Sequence, residues 1–539
     1  MTSTETRAEQ DGLRQQARRF LEIGQWDAAQ AAFEELARRA PHDVAVRMEL
    51  ADVTLRRGHM RAATSQLLQA QAMLGNDAPM IAQLAWRLSA TGETSALRAC
   101  ADHLERAPDP PGWLLAEQAH LRWMLGDIPG ARARMDLAAA AGIDTQAEYY
   151  LHAMLLQFTG RLAEAETVLL ETLRRWPNYG DAAVILVNLR RQTAAANHLS
   201  LLQERLGKLP QDDTEPRCAM TRAKFESAIF KVLDDLGRHD EAWAALAHSN
   251  ALMHSLLPYD AEGEVALTDA LVAASATVMQ RPAGSTTSDG PMPIFIVGMP
   301  RSGSTLLDHM LSAHPEVTSA GEINDFQRQL HWVADIAPRG NPSLLKILER
   351  ADQLDLDELG ARYLAQTQWR APGCRYFIDK LPINVRMVPF IRRALPRAPI
   401  LHLARDPMDV CYSNLKIMFG SASPWCYDMQ TVAHYYGQYA RLAQHWREAL
   451  PGAMLDVPYA SLVRDPESTM RQVLEHCGLH VEDACLRPEL NTSPVATPSS
   501  AQVREPIHTR GLAQWRHYEK QLEPLRMALA AELAPITTL

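Results

Sequence analysis

The first half of the chain places apolar residues at helical spacing and interrupts them with glycines at a fixed interval: Gly24, Gly58, Gly92, Gly126 and Gly160 stand 34 residues apart. Other positions keep the phase. Leu21 recurs as Leu55, Ala28 as Ala62 and Ala96, Phe33 as Leu67, and Pro41 returns four periods later as Pro177. This predicts pairs of amphipathic helices with a glycine turn inside each pair, small alanines where helices approach, and large apolar residues in the groove between them. "LGRHDEAWAALAHSN", from Leu236, begins one more unit after an out-of-phase interval. "RPAGSTTSDGPMP" at 281–293 is rich in Gly, Ser, Thr and Pro and reads as a linker. Beyond it, β-rich runs such as "PIFIVG" and "APILHLARD" alternate with helical stretches such as Thr431 to Leu450. That alternation predicts an α/β domain with a central parallel sheet. The expected division is helical repeats over 1–280, a linker over 281–292 and the α/β domain over 293–539.

A chain of 539 residues exceeds what one core usually holds, in keeping with two domains. The net charge of -10 argues against nonspecific nucleic-acid binding and leaves room for a local basic pocket. No apolar run is long enough to span a bilayer, and the polar start "MTSTETRAEQDGLRQQ" lacks the apolar core of a signal peptide. The seven cysteines are scattered and form no CxxC pair, which predicts reduced thiols and a cytoplasmic location rather than a disulfide framework or a zinc site.

"FIVGMPRSGSTLLDHML", at 295–311, reads as a buried strand, a tight turn and a helix. Aligned on the nucleotide-binding pattern G-x-x-x-x-G-K-[ST], Gly298, Gly303 and Thr305 are in place and Ser304 stands where the lysine belongs. Successive N–H groups and the helix N-terminus still make an anion cradle there. Arg301 and the hydroxyls of Ser302, Ser304 and Thr305 add charge and donors. Without the lysine and without a Walker-B strand, a short anionic group suits the loop better than a magnesium triphosphate, so no metal is expected. "ILHLARDPMDVCYSNLK" offers a second anion site, with Arg405 at a strand end and Ser413 two turns into the following helix.

The 34-residue period and its phased positions resemble tetratricopeptide repeats over roughly 10–250. The blocks "GMPRSGSTLLDHMLSAHPEVTSAGE", "IDKLPIN", "LARDPMDVCYS", "VPYASLVRDP" and "SSAQVREPIHTRGLAQW" resemble, in order, the sulfotransferases that use 3′-phosphoadenosine-5′-phosphosulfate, tyrosylprotein sulfotransferases above all. The resemblance implies a P-loop-like sulfotransferase fold. It also implies that Arg301, Ser302, Gly303, Ser304 and Thr305 bind the 5′-phosphosulfate end, and Arg405 and Ser413 the 3′-phosphate. Tyr459 and Ser499 match further contacts to this co-substrate, Glu322 matches the general base, and Lys380 the lysine beside the bridging oxygen. Two positions depart from the family. Its second arginine after "ARDP" falls at Ile417 and its basic residue before the C-terminal Trp at Gln514, for which Arg504, Arg510 or Arg516 are the candidate replacements. His309 and His314 are rival bases. The resemblance implies a transferase that sulfates a hydroxyl acceptor, protein tyrosine among the candidates, with the repeats recruiting a protein or peptide or joining two copies. The alternatives are an inactive repeat scaffold and a nucleotide kinase.

Overall fold

Several helices of the first half start where a polar side chain caps them. Asp43 accepts the Val46 N–H at 3.1 Å, Asp77 that of Met80 at 3.1 Å and Asp127 that of Gly130 at 2.9 Å, while Thr145 and Glu148 close a capping box. The computed structural model describes residues 3–210, 214–282, 284, 289–497, 500 and 502–537. Among these, fifteen helices precede the first strand, from Ser3–Glu22 to Ala261–Gln280. The five phased glycines occupy equivalent turns, from the one joining Ser3–Glu22 to Trp26–Arg39 to the one joining Gln146–Phe158 to Leu162–Arg175. Each has φ between +73° and +99°, a conformation an L side chain strains to adopt. Gly237 makes the same turn between Pro216–Asp235 and His239–Leu256, and two short helices, Gly180–Asn188 and Leu199–Lys208, fill the out-of-phase interval.

One expectation of the repeat pattern shifts by a residue. Ala62 is exposed and Ala28 half-buried. The fully buried residue is the next one, at Ala29, Ala63, Leu97, Ala131 and Ala165, packed four residues before Phe33, Leu67, Ala101, Met135 and Leu169. Positions four apart share a helix face, so this pair and not Ala28/Phe33 forms the buried seam.

The second half builds a five-stranded parallel sheet from β1 (Met292–Gly298), β2 (Val317–Ser319), β3 (Tyr376–Lys380), β4 (Ile400–Ala404) and β5 (Leu455–Pro458), in the order β2-β3-β1-β4-β5. Central β1 carries Ile294, Phe295, Ile296 and Val297, all fully buried, as a strand covered on both faces requires. The chain builds β2 and β3 on one side of β1, then β4 and β5 on the other. The winding therefore reverses at the carboxyl end of β1, where ligands of open α/β sheets bind.

The repeats meet the sheet domain through their row of turns. Ala337 N–H donates to Gly58 O at 3.1 Å, the Gln329 amide to Gly92 O at 2.9 Å, and the Arg504 guanidinium to Phe158 O at 3.0 Å, two residues before Gly160. Beside the Gly92 turn, Glu93 is almost fully buried and takes Arg362 and the Gln366 amide of the sheet domain. Helix Ala261–Gln280 packs on Asn341–Leu348, Val388–Ala394 and Met429–Ala449. A single apolar core holds Phe225, Phe230 and Leu233 from the repeats with Phe295, Tyr412 and Tyr518 from the sheet domain. All seven cysteines are unbridged, and no helix among the described residues is long and apolar enough to cross a membrane.

Candidate functional site

The loop after β1 is shaped for an anion. Arg301 sits at φ +66°, and Gly303 at φ +106° caps helix Ser304–Leu311 without a side chain. A Cβ on Gly303 would stand 2.4 Å from the Tyr459 ring, so only glycine lets loop and ring close together. The Ser304 and Thr305 N–H groups precede the first intrahelical acceptor of this helix, whereas Leu306 N–H donates to Gly303 O at 3.0 Å. The Ser302 hydroxyl beneath them is buried without a partner among the described residues. Thr305 Oγ1 lies 3.4 Å from Thr497 Oγ1.

Arg405 leaves the end of β4 and donates to Arg301 O at 2.7 Å and Gly511 O at 2.5 Å, with its guanidinium 4.6 Å from the Tyr459 ring centroid. Its Nε is buried and has no partner among the described residues. Arg301 Nε reaches Ser413 Oγ at 3.4 Å. Burial first, then the neighbouring Arg405 charge, holds Arg301 down to about 10, and burial likewise lowers Arg405. Two crowded, desolvated cations constitute a site that an anion would relieve.

Glu322 is positioned by the sheet. The β2–β3 ladder continues past its strands, with Ala320 N–H donating to Ile378 O at 2.9 Å and Lys380 N–H to Gly321 O at 3.0 Å. This delivers Glu322 to the end of β3, where its carboxylate accepts the Lys380 ammonium. Lys380 is fully buried, whereas the Glu322 side chain is 44% exposed and can meet a ligand. Arg301, Gly303, Ser304, Thr305, Glu322, Arg405 and Tyr459 all line one cavity of about 430 Å³. Ser302, Lys380 and Ser413 back these residues without lining it. Ser499 lies outside the described residues.

Neither rival histidine reaches the cavity. His309 is buried further along its helix, near Asn491 and Arg504, and its imidazole is pushed down to about 4 by burial and the Arg504 charge. His314 Nδ1 accepts the Glu316 N–H at 3.1 Å, and its ring packs edge-on against His480 at 4.7 Å. The three C-terminal arginines are also engaged elsewhere. Arg504 bonds Phe158 O and Ser493 O, Arg510 pairs with Glu505, and Arg516 lies over Trp515. The side chain that meets Gln514 is Lys416, with Nζ 2.9 Å from Gln514 Oε1.

Two further features escape a reading of the sequence. Leu381, Pro382, Ile383, Phe419, Trp425 and Tyr435 give the cavity an apolar wall, in which the Trp425 and Tyr435 rings stack at 4.0 Å. They come from three separate segments and share no local pattern. The second is Asp308, buried one turn beyond Ser304, which accepts the Ser319 hydroxyl at 3.0 Å and feels the charges of both Lys380 and Glu322. An acid within the apolar run "STLLDHML" was its only signal.

Burial pushes the Asp308 carboxyl from an ordinary 3.8 up to about 6. The fold thus disfavours the ionised form. The stability this group permits is complete below about pH 4 and is lost as pH rises through 6. Asp308→Asn is expected to be more stable than the parent at pH 8 by on the order of 2–3 kcal/mol, a margin that disappears near pH 4. Thermal melts at pH 4, 6 and 8 measure it, and an equal margin at all three would rule out burial of the charge as the cause.

Residues 293–483 match the family model described as the Sulfotransferase family. An uncharacterized protein of Aquifex aeolicus (strain VF5) is 29% identical over 316 residues, covering 57% of this chain and 41% of its own length. Protein-tyrosine sulfotransferase 2 of Gallus gallus is 25% identical over 246 residues, 41% of this chain and 62% of its own. Nodulation protein NoeE of Sinorhizobium fredii (strain NBRC 101917 / NGR234) is 30% identical over 138 residues, 24% of this chain and 33% of its own. The chain spans less than two thirds of each relative. With five phased glycine turns in its first half and this match in its second, the chain joins a tetratricopeptide-like helical array to a domain that matches the sulfotransferase family model over residues 293–483.

Proposed function

We propose that the chain transfers a sulfuryl group from 3′-phosphoadenosine-5′-phosphosulfate to a hydroxyl acceptor, with the helical array bringing the acceptor or a partner protein. The observation that carries this reading is the convergence of the anion loop, Arg405 and Glu322 on a single cavity, with Lys380 bonded to Glu322 behind it. The orphaned Ser302 hydroxyl and Arg405 Nε fit phosphate and sulfate oxygens. The donor would supply an activated sulfuryl group on a phosphate bridging oxygen. Glu322 is placed to take the proton of the attacking hydroxyl, and its bond to Lys380 fixes its orientation. Lys380 has three donors, so it can hold Glu322 and still offer a proton to the oxygen on which charge develops. The acceptor we place first is a phenol such as a protein tyrosine, in line with the names of several relatives and with the apolar wall of Phe419, Trp425 and Tyr435. A kinase reading is weaker, because Ser304 occupies the position of the lysine that a triphosphate loop uses.

The full chain incubated with donor labelled in its sulfuryl group and a panel of tyrosine peptides, sugars and small phenols is the direct test. Label is expected on a hydroxyl acceptor in EDTA. Magnesium-dependent turnover of ATP with no transfer of label would replace this reading with the kinase one.

A further inference from the structure

Lys416 lies within the group of cations already described. It follows helix Pro407–Leu415 as its C-cap, three residues after Ser413 and seven after Asp409, so the three share one face. Ser413 on that face meets Arg301 at 3.4 Å. The segment that closes over the same face carries Gly511, whose carbonyl accepts Arg405 at 2.5 Å; Ala513, whose N–H donates to Asp409 at 3.0 Å; and Gln514, whose amide oxygen accepts Lys416 at 2.9 Å. Lys416 thus stands beside the position where the resemblance expects an arginine, now Ile417, and touches the residue that replaces the second expected base, Gln514.

The carboxylates around it are engaged elsewhere. Asp406 caps its own helix, Asp409 takes the Ala513 N–H, and Asp234, from helix Pro216–Asp235, accepts the Tyr518 hydroxyl at 2.6 Å. Arg301 and Arg405 repel Lys416, Lys231 on that helix does so while itself paired with Asp235, and Asp234 attracts it; the ammonium sits 5.0 Å from the Tyr412 ring. The group that Lys416 Nζ bonds, Gln514, is neutral and leaves the charge of the ammonium uncancelled at that contact.

We infer that Lys416 is the third cation of the anion site formed by Arg405, Arg301 and Ser413, and that it sets the preference of this site for a doubly charged phosphate monoester. The inference rests on the donor-binding reading above. It carries a pH signature. Burial, opposed by the Asp234 charge and reinforced by Arg301, Arg405 and Lys231, holds the Lys416 ammonium down to about 8. The cation is present below that pH and lost above it, whereas a phosphate monoester becomes a dianion above about 6. The extra affinity is therefore confined to roughly pH 6 to 8.

Calorimetry on the full chain with two probes, adenosine 3′,5′-bisphosphate and adenosine 5′-monophosphate, tests it. Lys416→Gln is expected to weaken the bisphosphate by about 10- to 100-fold and to leave the monophosphate unchanged. Lys416→Arg should restore the bisphosphate. The wild-type preference for bisphosphate should fall from pH 7 to pH 9, with proton uptake on binding at pH 8.5 seen as a dependence of the heat on buffer ionisation. Lys416→Arg should keep its preference to pH 9 and take up no proton. Equal weakening of both probes by Lys416→Gln, or no weakening of either, overturns the inference and leaves the donor-binding reading standing. A wild-type protein that binds neither probe overturns both. Because Lys416→Arg retains size and charge, it answers the question even where Lys416→Gln folds poorly.

Discussion

Glu322→Gln and Lys380→Met lower sulfuryl transfer by about 10²- to 10⁴-fold and leave nucleotide affinity nearly unchanged. The glutamine keeps an oxygen for the Lys380 ammonium and so preserves the geometry of the pair, yet it cannot take a proton from the acceptor. Methionine fills the fully buried space of Lys380 and removes the ammonium at the end of β3. Both contacts matter most as charge moves in the transition state, so their loss appears in the rate. Arg405→Ala is the contrast. Its guanidinium holds the loop through Arg301 O and, in the proposed reading, would hold a phosphate that does not react, so affinity falls by about 1.5–3 kcal/mol in ground and transition states alike. Steady-state rates at saturating donor, with calorimetric affinities for adenosine 3′,5′-bisphosphate, separate the two classes. Full turnover by Glu322→Gln would move the base elsewhere and make Asp308, the buried acid beside the same lysine, the next residue to test.

Glu264→Leu destabilises the protein by about 3–5 kcal/mol, and Arg386→Met by clearly less. The two side chains form an ion pair between helix Ala261–Gln280 and the segment after β3, and both residues are under 10% exposed. The asymmetry follows from their chemistry. A glutamate stripped of its partner can take up a proton and become neutral, whereas an arginine cannot shed its charge and remains a buried cation. Arg386 also lies 5.7 Å from the Tyr435 ring of the cavity wall, so the uncompensated charge disturbs the apolar side of the site. Denaturant unfolding of both variants reads the difference. Equal losses would show that packing, and not the unpaired charge, dominates at this junction.

Much of this architecture was legible in the chain because its causes are local. A turn that demands positive φ selects glycine, so Gly24, Gly58, Gly92, Gly126 and Gly160 reveal their period without any partner in view. An anion loop likewise needs a strand, close-approach glycines and a helix start within a few residues, and "IVGMPRSGST" contains all three. The helical and α/β halves and the anion loop at the end of β1 were therefore written in sequence. The alanine seam was misread by one residue, since the period fixes spacing but not which face of the helix meets its neighbour.

What only the tertiary structure decided concerns groups brought together from afar. The pairing of Glu322 with Lys380, 58 residues apart, depends on a ladder running past β2 and β3. The withdrawal of His309, His314, Arg504, Arg510 and Arg516 to other partners has no local signal either. A position beside an expected one, Lys416 next to Ile417, was passed over because a sequence pattern scores residues by their place in line, whereas an ammonium on a flexible stem is placed by whatever packs around it. The docking of the repeats by their row of turns follows the same rule. Glycine turns have no side chains to advertise a contact, and the shape of the sheet domain selects them only after both halves have folded.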